Sequence, residues 1–197
     1  MTAIVKKITS NWSNSGIINE EDIDIYVYGL EILLYSLFNI IAILITAAIY
    51  GYMLESIILV IVIIPLQAYG GGYHANTHLR CFLIMYIGWW LVVHLLQFIN
   101  TPISVILCLL SVIVIFSLAP ISNQNVPMSE KHRKKLRTII RIITLIITCL
   151  SIIFSSMFKI SSHIGITIAV GLGITTLSML LAYIKDKYMQ YKIMKGV

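Results

Sequence analysis

Six apolar runs, at residues 30–50, 56–69, 82–99, 103–119, 139–158 and 164–184, decide how this chain can fold. A helix crosses the hydrocarbon core of a bilayer with about 17–25 residues, and in that medium it satisfies its own backbone hydrogen bonds. The expected fold is therefore all-α: a polytopic membrane helical bundle of about six transmembrane helices. The run at 56–69 is short for a crossing. It is expected either to begin earlier, near Tyr52, or to cross where neighbouring helices thin the bilayer, and Pro65 is placed to kink it. Only 11% of the residues are charged and the mean hydropathy is +0.94, whereas soluble domains carry about a quarter charged residues. Residues 1–197 read as one integral-membrane domain with no room for a separate soluble one.

The segments between the runs set orientation. Residues 1–25 read as an interfacial amphipathic region, with Lys6 and Lys7 among apolar positions, Trp12, and a Ser/Asn/Gly-rich break at 10–16. Asn19 is placed to cap a helix whose first turn carries Glu20, Glu21 and Asp22, where the helix dipole favours negative charge. No cleavable leader is expected, because the first apolar run follows an acidic stretch and no small-residue cleavage site follows a basic start. The net charge of +6 is carried at the N-terminus, between Lys131 and Arg137, and on Lys185, Lys187, Lys192 and Lys195. All of these flank apolar runs, a pattern that orients spans and meets anionic lipid headgroups. No basic face with stacking aromatics speaks for nucleic acid.

With six spans, the N-terminus, segment 70–81, the polar connector 121–138 and the C-terminus share one side. The connectors at 51–55, 100–102 and 159–163 share the other, with Lys159 their only Lys or Arg. The positive-inside rule then places both termini and segment 70–81 in the cytoplasm. Gly165, Gly171 and Gly173 in the last run are expected to let helices approach closely.

Segment 70–81, Gly70-Gly71-Gly72-Tyr73-His74-Ala75-Asn76-Thr77-His78-Leu79-Arg80-Cys81, is where reactive side chains crowd together. A thiol nucleophile needs a base to make and hold the thiolate. In an unbroken helix His78 and Cys81 are three residues apart and share a face. His74 precedes Cys81 by seven residues, which at a rise of about 1.5 Å separates their Cα atoms by about 10 Å. A His74–Cys81 hydrogen bond therefore requires a bend, for which Asn76-Thr77 and the glycines at 70–72 are suited. Arg80 beside Cys81 favours negative charge on the sulfur. Cys108 and Cys149 lie inside apolar runs, where cysteine acts as a small buried hydrophobe, and three cysteines without regular spacing make no disulfide framework.

Two other classes compete with a thiol enzyme. His74, His78 and Cys81 fall at i, i+4 and i+7, one helical face of plausible zinc ligands. Ala75 stands where an H-E-x-x-H hydrolase has its glutamate, so this reading survives only as a structural or transport metal site in a non-catalytic membrane protein. A small transporter is the other, against which stands the near absence of ionisable residues inside the spans. His94 and His163 at span ends read as structural, and Trp89 and Trp90 as packing or interface anchors.

Three stretches resemble the AgrB family, the membrane-embedded cysteine endopeptidases of accessory-gene-regulator quorum sensing. They are Tyr28-Gly29-Leu30-Glu31-Ile32-Leu33-Leu34, the GGYHA…LRC segment at 71–81, and Ala119-Pro120 with Asn125 and the Ser-Glu-Lys-rich connector. With the length and the six spans, the resemblance covers essentially the whole chain. It implies a catalytic dyad of His74 and Cys81, no cofactor or metal, and His78 as accessory or spectator. Gln67 departs from the arginine frequent in similar members. The implied substrate is a small amphipathic AgrD-like precursor peptide, cleaved through a thioester acyl-enzyme and cyclised to a thiolactone or lactone autoinducing peptide. The implied setting is a bacterial cell membrane, and family behaviour implies a homodimer, for which the glycines of the last span offer a contact surface. Charge complementarity further points to the 121–138 connector as receiver of the acidic precursor tail.

Overall fold

The computed structural model describes residues 2–73, 75, 77–121, 129–156 and 159–195, with residues 2, 78, 159–161, 193 and 194 described by their backbone alone. All regular structure among the described residues is helical: α1 (Thr2–Asn14), α2 (Ile23–Tyr50), α3 (Met53–Gly70), α4 (His78–Leu95), α5 (Thr101–Leu118), α6 (Glu130–Ser156) and α7 (Lys159–Met194). Short 3-10 turns at Glu20–Asp22 and Leu96–Phe98 precede α2 and follow α4. Among the described residues six helices are long and apolar enough to cross a membrane, so the chain is a multi-pass membrane protein.

The ends of these helices follow from their sequence. Gly51 closes α2 in the left-handed conformation (φ 81°, ψ 14°), and the Tyr52 N–H returns to Ala47 O at 2.9 Å. Chain direction thus reverses within two residues, and α3 starts at Met53, early enough to span with 18 residues. The helix runs through Pro65 without interruption. Asn100 caps α5 by accepting the Ile103 N–H on Oδ1 at 3.1 Å, with Pro102 in the first turn where no N–H is needed. Asn19 does not cap as expected. Its Nδ2 donates to Asp22 Oδ2 at 3.2 Å, and the 3-10 turn rather than a capped α-helix leads into α2.

The basic connector also differs from expectation. Residues 122–128 lie outside the described residues, but α6 already begins at Glu130, so Lys131 to Arg137 form its first two turns. The helix continues beyond the apolar run because charged side chains at a membrane boundary are solvated without ending the backbone ladder.

Packing centres on α7, which lies against α3, α5 and α6. Leu66, Ile115, Ile140, Leu172 and Met179 are fully enclosed there. Lipid tails are as apolar as leucine, so close van der Waals contact and interhelical hydrogen bonds must hold such a bundle together. Both are present. A side chain at Gly165 would collide with Ser155, at Gly171 with Val62 (2.8 Å), and at Gly173 with Leu107 (2.8 Å). The three glycines therefore bring α6, α3 and α5 onto α7, and their surface is consumed inside one chain instead of being free for a dimer contact. Cys108 Sγ donates to Ser151 Oγ at 3.4 Å, and Ser151 Oγ donates to Gly165 O at 2.8 Å. Cys108 is buried as expected, whereas Cys149 faces outward. Arg141 Nη2 donates to Phe116 O at 3.1 Å and its guanidinium lies over the Phe116 ring, tying α6 to the end of α5.

Helices α2 and α4 flank this unit through Ile43, Ala47, Leu59, Trp89 and Val93. Helix α1 packs on α2, burying Val5 and Thr9 while Lys6 and Lys7 stay exposed. That one-sided burial is what an amphipathic helix beside a span requires.

Candidate functional site

Because successive spans alternate in direction, the end of α3, the start of α4, the end of α5, the start of α6 and the end of α7 meet at one end of the bundle. The polar segment 70–81 lies at that end, between α3 and α4.

Its three glycines each meet a different wall. A side chain at Gly70 would collide with Met179 of α7 and crowd Ile140 of α6 at 3.2 Å. Gly71 takes φ 78° and ψ 175°, a conformation essentially reserved for glycine, and a Cβ there would sit 2.8 Å from Ile121 O. The Gly71 N–H donates to Gln67 O at 2.9 Å, and the Ile121 N–H donates to Gly70 O at 3.0 Å. Gly72 faces Ser178, whose Oγ would lie 2.9 Å from a Cβ, and the aliphatic part of Gln67 packs alongside at 3.6 Å. Tyr73 follows, donating its N–H to Ser178 Oγ at 2.9 Å, with the Lys185 ammonium 5.1 Å from the centre of its ring.

His74 and Asn76 lie outside the described residues, as does Asn125; Ala75 is non-helical. Thr77 is extended (φ −134°, ψ 147°), and its hydroxyl accepts the Arg80 N–H at 3.3 Å. That N-cap starts α4 at His78, and the Cys81 N–H closes the first helical bond to Thr77 O at 3.0 Å. Cys81 is thus a half-buried thiol in the first turn of a capped helix, the end at which negative charge is favoured. Arg80 is exposed beside it. Next along α4, Phe82 meets Phe38 of α2 and stacks on Tyr86, both at 5.6 Å between ring centres. The Tyr86 and Thr46 hydroxyls share a hydrogen bond of 2.8 Å.

Helix α4 begins at His78, after non-helical Ala75 and the extended Thr77. The two arms of the segment rest on different neighbours. Gly70 to Tyr73 is held by α6, α7 and Ile121, whereas the Cys81 end of α4 leans on α2. Around this end stand Lys131, Arg133, Lys134 and Lys135, all exposed on α6. Arg133 pairs with Glu130 at 3.8 Å.

Sequence reasoning singled out the glycines and the turn at Thr77. It missed Ser178 and the backbone of Ile121, which approach only through the fold. The faint signal for Ser178 was its place among Thr175 and Thr176 in an apolar run.

The AgrB family model, described as accessory gene regulator B, matches residues 1–182. An AgrB-like protein 1 of Clostridium perfringens strain 13 is 28% identical over 146 residues, covering 73% of this chain and 78% of that protein. No solved structure matches the chain.

Proposed function

This chain belongs to the AgrB family, accessory gene regulator B, and we propose that it acts there as a membrane-embedded cysteine endopeptidase with Cys81 as nucleophile and His74 as general base. Membership carries involvement in the peptide processing of accessory-gene-regulator quorum sensing. The observation that best supports the finer reading is the late start of α4 after the extended Thr77 cap. A turn in place of a helix removes the separation of about 10 Å that a continuous helix would impose on residues seven apart. It leaves Cys81 in a first turn that favours its thiolate.

The chemistry follows from these groups. His74 takes the Cys81 proton, and the thiolate attacks a peptide carbonyl of an AgrD-like precursor. The tetrahedral intermediate collapses as the imidazolium gives its proton to the departing amine of the C-terminal tail. A thioester between Cys81 and the precursor remains. A thiol or hydroxyl within the same precursor then attacks that carbonyl, its proton passing to His74, and Cys81 is released as thiolate and reprotonated. The product is a macrocyclic thiolactone or lactone. Thioester exchange is nearly balanced in bond energy, so this intermediate suits ring closure provided the site excludes water.

In this reading both termini and segment 70–81 are cytoplasmic, consistent with the exposed basic residues at that end. The precursor lies on the inner leaflet as an amphipathic helix, and its acidic tail meets the basic turns of α6. Family behaviour supports a homodimer, and the basic flanks support contact with anionic lipid.

The test uses purified protein in lipid with a matched precursor, comparing wild type with Cys81→Ala, His74→Ala and His78→Ala, with and without chelator. Tail release and a covalent enzyme–peptide adduct are followed by mass spectrometry. Loss of both signals in the Cys81 and His74 variants, with His78→Ala active and chelator harmless, is the expected result. Activity abolished by chelator, or tail release by Cys81→Ala, sinks the reading.

A further inference from the structure

We propose that Ser178 is a positioning residue for His74: it fixes the backbone one residue ahead of the imidazole and so sets where that base meets the Cys81 thiol. The inference rests on the thiol-peptidase reading above.

The path of the chain from α3 to Tyr73 is determined residue by residue. Gly70 is pressed between Met179 and Ile140, Gly71 against the Ile121 carbonyl, and Gly72 against Ser178 Oγ. The path ends on a hydrogen bond from the Tyr73 N–H to Ser178 Oγ of 2.9 Å, joining residues 105 apart in sequence. The peptide unit that follows Tyr73 carries His74, so whatever sets the Tyr73 backbone sets the origin of the histidine.

Ser178 is suited to this by its helix. Hydroxyls in a helix commonly bond the carbonyl one turn back, as Thr175 and Thr176 do toward Gly171 O and Leu172 O at 3.0 and 2.8 Å. Ser178 Oγ accepts the N–H of another segment. Helix α7 is the most enclosed span, and Thr175 and Met179 on either side of Ser178 are fully buried. The oxygen therefore sits beside two fully buried side chains of the same helix. Two turns further on, Lys185 covers the Tyr73 ring, so α7 grips both the backbone and the side chain of the residue before the base.

The absence of a side chain at position 72 follows from the same contact. A Cβ at Gly72 would stand 2.9 Å from Ser178 Oγ and push the two apart. Glycine there is explained by the need for the Tyr73 N–H to reach the serine.

The test follows two readouts in Ser178→Ala, Ser178→Thr and wild type in lipid, with Cys81→Ala and His74→Ala as references. The first is single-turnover tail release. The second is the pH dependence of Cys81 alkylation, read at that residue by peptide mass spectrometry. Ser178→Ala is expected to slow release about 10- to 100-fold, the scale of a displaced catalytic group. Its alkylation profile should move toward that of His74→Ala, and Ser178→Thr, which keeps the oxygen, should recover both. Wild-type release by Ser178→Ala overturns the proposal. So does slowed release with an unchanged alkylation profile, because a general loss of packing would leave the coupling of base and thiol untouched. If Ser178→Ala fails to accumulate in the membrane, Gly72→Ala, which keeps the serine but displaces it, is judged by the same two outcomes. Tail release by Cys81→Ala would instead remove the thiol-peptidase reading itself, whatever Ser178 does.

Discussion

Trp89 donates its indole N–H to Ser56 Oγ at 2.8 Å, a buried bond between the middle of α4 and the start of α3, and Ser56 Oγ donates onward to Tyr52 O at 2.7 Å. Together with Val93 on Ile43, Ala47 and Leu59, this fixes the half of α4 remote from Cys81. The Cys81 half meets α2 through the Phe82–Phe38 and Tyr86–Thr46 contacts. Cys81 thus stands on the end of α4 away from the Trp89 anchor, whereas Tyr73 is held by α7. The proposed mechanism requires these two anchorages to stay in register.

Trp89→Phe keeps an aromatic ring but removes the donor. Hydrogen bonds between membrane helices contribute about 0.6 kcal/mol on average and up to about 1.7. The variant should lose about 0.6–1.7 kcal/mol of unfolding free energy in detergent, and Trp89→Ala about 3–5 kcal/mol through the cavity it leaves. An unchanged unfolding midpoint in Trp89→Ala would mean that α4 is not held at this point.

The Thr77 cap lies directly under Cys81, whose N–H bonds Thr77 O at 3.0 Å. Thr77→Ala removes the acceptor of the Arg80 N–H, at a typical cost of about 1 kcal/mol to the helix end. The first turn, with Cys81 in it, should fray. Tail release is expected to fall several-fold while the unfolding midpoint of the bundle barely moves, and Thr77→Ser or Thr77→Asp should retain activity. Equal activity in Thr77→Ala and wild type would show that the first turn is held by other contacts.

Gly71 and Gly51 separate strain from crowding. Both have positive φ, 78° and 81°. Nothing lies within 4 Å of a Cβ at Gly51, whereas one at Gly71 meets the Ile121 carbonyl at 2.8 Å. Gly51→Ala should therefore cost only about 1–2 kcal/mol for the left-handed backbone, less for Gly51→Asn, with processing intact. Gly71→Ala adds displacement of Ile121 and of its bond to Gly70 O, and should abolish processing even where folded protein is recovered. Comparing tail release per folded molecule in the two variants checks this.

The spans were legible in the sequence because a long apolar run is itself the signal, and the glycine corner because three glycines have few other uses. The start of α3 was obscured by Glu55, which sits in the first helical turn, where a carboxylate is favourable, and lies 3.8 Å from His163 Nδ1. The start of α6 was obscured because charge was counted against helix, although Lys131 to Arg137 need only leave the apolar layer, not the helix. Cys149 read as buried because composition cannot say which face of a span meets lipid. Ser178 had no periodicity to announce it: its role comes from a segment 105 residues away. Pattern reveals what a residue does along its own helix. Which helix it will meet is decided by packing.

Those basic turns of α6 give a prediction in which two electrostatic effects oppose each other. Lys131, Arg133, Lys134 and Lys135 are exposed near the N-terminal end of α6, where the helix dipole disfavours cations by a few tenths of a kcal/mol each. Their presence therefore works against the helix that carries them, which is understandable if they meet an anion outside it. Replacing Lys134 and Lys135 with glutamate should leave α6 as stable or slightly more so. It should also weaken binding of an acidic precursor tail, at about 1 kcal/mol per basic residue near an anionic surface, which makes the double reversal at least about tenfold. Salt should reproduce the effect in wild type, since screening shortens to about 3 Å at 1 M ionic strength, and should narrow the gap between wild type and variant. Precursor affinity and tail release are measured at low and high salt, with protein level and insertion checked in parallel. A double reversal with wild-type affinity at low salt would show that the acidic tail is received elsewhere.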